Sequence, residues 1–140
     1  METQMVNQVE LKEQENGRFL RRVLKGNALF SGLSAIVFLS AAGPLSQFTG
    51  IEPAAVFVVL GLGFIPFAAF TFFTARQPEI NSHFARTIMV LDALWVMGSL
   101  VILFSGWPPL TTAGKWFVGL TAEAVAILAL LEYIGIRRLG

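Results

Sequence analysis

Cysteine is absent from the 140 residues, and histidine occurs once. The first absence excludes disulfides, thiol redox chemistry and thiolate metal sites. The second excludes, within one chain, a bis-histidine haem and any multi-histidine metal centre, so no metal site is expected. Charge is also scarce: charged residues make up 14% of the chain, against about 25% in a soluble domain. The net charge of +1 gives no reason to expect nucleic acid as a partner. HExxH, GxSxG, P-loop and histidine-box patterns are missing. No catalytic residue is therefore assigned, and the chain is not expected to be an enzyme.

What fills the sequence instead is apolar. Hydrophobic residues make up 55% and the mean hydropathy is +0.69. Crossing the hydrocarbon core takes about 20 apolar residues in a helix. Charge is absent between Lys25 and Glu52 and again between Glu52 and Arg76. A third apolar run from Thr87 to Trp107 is broken only by Asp92, and a fourth from Thr112 to Ile136 holds Glu123 and Glu132. These runs predict an all-α integral membrane four-helix bundle, with spans near residues 20–43, 52–75, 84–106 and 113–136. Gly43-Pro44-Leu45-Ser46 and Trp107-Pro108-Pro109-Leu110 read as turns. Nine of the ten basic residues fall on one side of the predicted topology, and only Lys115 on the other. Both termini are thus expected in the cytoplasm, in a bacterial inner or internal photosynthetic membrane. A cleaved signal peptide is the rival reading of the first span. The long polar leader and the partner helix later in the chain weigh against it.

Residues 1–17 form a polar segment, expected to be mobile or to lie on the surface, ahead of a transmembrane domain over 18–140. Arg18, Arg21, Arg22 and Lys25 make a basic lead-in to the first span, and Arg86, Arg137 and Arg138 are their interfacial counterparts elsewhere. Such residues suit anionic lipid.

Residues 16–45 align with 81–110 at a constant offset of 65, with nine identities and no gap. Asn16 matches Asn81, Phe19 matches Phe84, Arg21 matches Arg86, and Pro44-Leu45 matches Pro109-Leu110. Asn27 stands where the second copy has Asp92, and Ser34 where it has Ser99. Polar and proline residues are scarce here, so their coincidence argues for duplication. The expected arrangement is two parallel helical-hairpin repeats, about 16–75 and 81–138, related by a pseudo-twofold axis along the membrane normal.

Five polar residues inside the spans carry the functional question: Asn27, Ser34, Asp92, Ser99 and Glu123. A carboxylate at the centre of a membrane helix costs about 2.5–3.5 kcal/mol on insertion scales. If the first and third spans meet on the pseudo-axis, Asn27 and Asp92 share one depth and hydrogen-bond. That contact reads either as a register clip or as a proton or cation site. Glu123 is expected near mid-membrane, at a depth close to that of Ser99. Glu132, near Arg137 and Arg138, reads as an interfacial pairing group.

Phenylalanine occurs thirteen times. Phe57, Leu60, Phe64 and Phe67 share a face of the second span, which reads as a packing or lipid surface or as a platform for a partner helix or ligand. Gly26, Gly32 and Ser34, with Ala35 nearby, would permit close helix contact in the first span.

The segments Asn27-Ala28-Leu29-Phe30-Ser31-Gly32-Leu33-Ser34 and Asp92-Ala93-Leu94-Trp95 resemble those of bacterial four-helix inner-membrane proteins without an assigned activity. The resemblance covers about 20–138 and implies the topology, with no activity, cofactor or site attached. The leading functional expectation is a non-catalytic accessory or scaffold subunit of a larger membrane complex. One alternative is a small homo-oligomeric transporter or channel using Glu123 and Asp92. Another is a lipid, quinone or pigment binding protein. Expected partners are membrane lipid, other membrane subunits or further copies of the chain. No cofactor is implied, although lipid or pigment contact fits the aromatic helix.

Overall fold

A computed structural model describes residues 2–139, except for the side chains of Lys12, Glu13, Gln14 and Asn16. The match of Asn16 with Asn81 and the charge of Lys12 therefore lie outside the described residues. Among the described residues the chain forms five α-helices and no strand: α1 (Glu2–Ser40), α2 (Ala42–Thr49), α3 (Ala55–Arg76), α4 (Ser82–Ser105) and α5 (Thr112–Leu139). Among the described residues, four segments are long and apolar enough to cross a membrane: Gly17–Ser40 within α1, then α3, α4 and α5. The sequence places these spans within a few residues of their observed limits.

Two elements go beyond the sequence reading. The polar segment before Gly17 is helical and continuous with the first span, so α1 runs for 39 residues. Its described side chains are exposed up to Glu15. No glycine or proline interrupts residues 2–16, so nothing in the backbone stops the helix from extending. The second is α2, which occupies the predicted turn around Pro44. Pro44 falls in the first turn of this helix, where its missing N–H costs no hydrogen bond. Gly50 ends α2 with φ 81°, its N–H donating to the Ser46 carbonyl. A Cβ there would lie 2.8 Å from the Pro109 carbonyl oxygen, so the left-handed turn and the tight approach both require glycine.

Helices α1 and α3 pack as one hairpin and α4 and α5 as another, joined along α1 and α5. The α3–α4 side is sparsely packed and held chiefly by ring contacts, Phe64–Trp95 at 5.0 Å and Phe70–Phe84 at 5.4 Å. A clean four-helix bundle would close both sides, and this one leaves a gap. Close approach comes from glycines on the later helices. A Cβ on Gly114 would collide with the Thr49 backbone, and one on Gly61 or Gly135 would press on Leu39 or Leu20. Gly26 and Gly32 sit against open space, contrary to the contact expected of them. Pro66 lies inside α3, which continues through it to Arg76.

The interior is layered. Toward the chain termini, Leu20, Leu24, Ala75, Ala85, Ile88 and Ile136 form an aliphatic core. Toward the opposite end, Phe38 meets Phe57 at 5.2 Å and Phe64 at 5.5 Å, and Phe117 joins them. The polar residues lie between these layers.

Candidate functional site

Asn27 stands one turn beyond Leu24 on the inward stripe of α1, and Ser31 follows one turn later. Asp92 holds the corresponding place on α4, one turn beyond Ile88. Glu132 comes in from α5, one turn before Ile136. The three helices bring these groups together. The Asn27 amide Nδ2 donates to Asp92 Oδ2 at 2.6 Å and to both oxygens of Glu132 at 3.4 Å. Ser31 Oγ donates to Asn27 Oδ1 at 3.1 Å. Asn27 is 1% exposed, Asp92 5% and Glu132 0%. Two carboxyl groups thus share one amide inside the bundle.

The bond between Asn27 and Asp92 is the one expected from their matched positions. Glu132 was read from the sequence as an interfacial residue, and the structure corrects this. It is fully buried in the cluster, while Arg137 donates to the Tyr133 hydroxyl at 3.1 Å and Arg138 stacks on the Phe19 ring at 4.8 Å. Glu123 is the converse case. It is exposed on the outer surface of α5, beside Lys115, Trp116, Gly119 and Leu120. Nine residues separate Glu123 from Glu132, about two and a half helical turns, so the two carboxyls point to opposite faces. The signal that could have found Glu132 is this phase: it shares a face with the buried Val125 and Ile136, and Glu123 does not.

Ser34 and Ser99 do not reach the cluster. Each hydroxyl donates to the carbonyl one turn back, Phe30 and Trp95 respectively, at 2.8 Å. This local bond satisfies a hydroxyl inside its own helix. Among the interfacial arginines, Arg21 turns inward and donates to the carbonyls of Ala75, Gln77 and Pro78 at the end of α3. It covers carbonyls that the helix leaves unpaired, at the negative end of its dipole. Arg18, Arg22, Lys25 and Arg86 are exposed.

A cavity of about 330 Å³ adjoins the cluster on the side of the aromatic layer. Asp92 and Ser31 lie at its polar end. Phe30, Ser34 and Phe38 line it from α1, and Trp95 from α4. From α3 come Leu60, Phe64 and Phe67, so three of the four residues read as an aromatic face on that helix turn inward onto this space. Phe57, the fourth, packs against Phe38. The exposed apolar surface of α3 is formed instead by residues such as Val59, Leu62, Ile65 and Phe73. Trp95 keeps its indole Nε1 buried without a hydrogen-bond partner among the described residues. Groups of three or more potential metal-ligating side chains are absent among the described residues.

Comparison with known proteins returns no matching family model, no similar curated protein and no similar solved structure.

Proposed function

We propose that this chain is a small integral membrane protein that binds a solute in the chamber between its helices, with the Asp92–Glu132 pair exchanging a proton or a cation as the chamber fills and empties. The observation that carries the reading is the convergence of two buried carboxyls on one amide, beside a cavity, without a basic side chain among the described residues of the cluster. Charge balance then calls for a proton or a cation from outside the chain. A register clip needs only Asn27 and one acceptor, and such interhelical bonds average about 0.6 kcal/mol. A second buried carboxylate adds desolvation cost and brings a donor only once it takes up a proton.

The sequence supports the remaining parts of the proposal. The bias of basic residues favours cytoplasmic termini and a bacterial inner membrane. The offset of 65 that separates Asn27 from Asp92 also relates thirty aligned positions, which favours descent from a duplicated hairpin. In this arrangement the α1–α5 and α3–α4 contacts are symmetry mates, and the gap at α3–α4 is where the symmetry breaks.

The test uses dicyclohexylcarbodiimide, which partitions into membranes and modifies protonated carboxyls. Peptide mapping should find Asp92 modified, with modification declining as pH rises. Glu123, facing outward, serves as the lipid-exposed reference. Modification confined to Glu123 at every pH would contradict the reading.

A second reading, as a subunit that docks on other membrane proteins, is favoured by Glu123 alone. It lies eleven residues into α5, roughly 16 Å along the helix, and faces outward. A carboxyl in that position gains from a covering helix. In native gels of mildly solubilised membranes, Glu123→Leu should then shift the protein to a smaller assembly. Unchanged mobility would contradict this reading.

A further inference from the structure

The chamber opens sideways. Val59 of α3 and Leu91 of α4 both line it, yet they are 66% and 44% exposed. The opening therefore lies in the apolar surface between these helices, where their packing is sparse. The interior is aromatic on several sides, with Phe38, Phe64 and Trp95 in ring contact. At the polar end stands Asp92. From α1 it meets Asn27, and Glu132 is the carboxyl that α5 adds behind it. Helix α3 brings no charged side chain to this cavity.

This combination selects among occupants. A lipid acyl chain would fill the apolar volume but leave a carboxyl against hydrocarbon. An anion would meet Asp92 with like charge. An organic cation satisfies both parts, because aromatic faces attract cations and the carboxylate supplies the counter-charge. A volume of about 330 Å³ is at the lower end of small-molecule sites.

We propose that the chamber binds a lipophilic organic monocation, admitted from the bilayer between α3 and α4, with Asp92 as its counter-ion and the Phe64 and Trp95 rings around its charged group. This rests on the reading of the chamber as a solute site and names the solute class. When the cation docks on a protonated Asp92, one proton leaves, so the charge of the occupied cluster is unchanged.

The full chain in nanodiscs of zwitterionic lipid tests the proposal, with benzyltrimethylammonium as probe and neopentylbenzene as its uncharged isostere. Trp107 and Trp116 are 78% and 67% exposed and far along the chain from the cluster. Replacing both by Phe leaves Trp95 as the reporter. The cation should change Trp95 emission saturably, and the uncharged isostere should bind about tenfold more weakly or worse. Asp92→Asn should remove that preference. Gly63→Phe fills the lining at a position where an added Cβ meets nothing within 4 Å. It should abolish the cation response while leaving the polar cluster untouched, so the proposal stays testable if Asp92→Asn fails to insert. Equal binding of the two probes, or no saturable response to the cation, would overturn it. Carbodiimide modification of Asp92 without cation selectivity overturns this proposal alone. Loss of both overturns the solute-site reading as well.

Discussion

At the residue scale, Asn27 is the hub. Its amide donates to both carboxyls, and its carbonyl oxygen accepts from Ser31. The bonds are unequal: 2.6 Å to Asp92 is a strong contact, whereas 3.4 Å to each Glu132 oxygen is a weak, shared one. Replacing Asn27 by Leu keeps the volume but leaves two buried carboxyls and a hydroxyl without their common partner. Unfolding in mixed micelles should show a loss of about 1–3 kcal/mol. Unchanged stability would mean that the cluster is held by other contacts. Asn27 and Asp92 were legible in the sequence because charged and amide residues stand out in an apolar run, and the alignment at an offset of 65 paired their positions. Glu132 was not, because proximity to Arg137 and Arg138 in sequence suggested an ion pair. Helical geometry turns those arginines outward and the glutamate inward.

Elements follow a similar logic. Apolar runs predict the four spans well, because length and composition alone set what can cross a bilayer. The short helix α2 was not legible, since Gly43-Pro44 is also good turn chemistry. Tertiary contacts decide the matter. Thr111 N–H donates to the Thr49 carbonyl at 3.0 Å, and Thr111 Oγ1 donates to the Phe48 carbonyl. These bonds tie the end of α2 to the start of α5. Glycine content likewise says little until packing is known. Gly114 touches the Thr49 backbone, whereas Gly26 and Gly32 touch nothing that a methyl group would disturb. Gly114→Ala should therefore destabilise by about 1–3 kcal/mol through overpacking. Gly26→Ala and Gly32→Ala should be neutral or slightly stabilising, because alanine is the better helix former. Thermal denaturation of the three variants in one detergent decides this, and equal midpoints would contradict the packing described.

For the whole molecule, hydrophobic burial is no guide to what holds the helices together, because lipid is as apolar as the core. Specific packing must do it: the aliphatic layer near the termini, the aromatic layer at the other end, and the amide–carboxyl cluster between. The α1–α5 side closes all three layers. The α3–α4 side leaves the chamber. Neither the gap nor the inward turn of the Phe64 and Phe67 rings was readable from sequence, where an aromatic helix face suits packing, lipid, a partner helix or a ligand equally. The carboxyl pair next to that chamber is the feature to measure first. Infrared difference spectra of reconstituted protein, recorded over a pH series, read carboxyl protonation directly. A pH-dependent carboxyl band is expected that is lost in both Asp92→Asn and Glu132→Gln and kept in Glu123→Gln. A band that vanishes only with Glu123→Gln, or none that responds to pH, would contradict proton exchange at the pair.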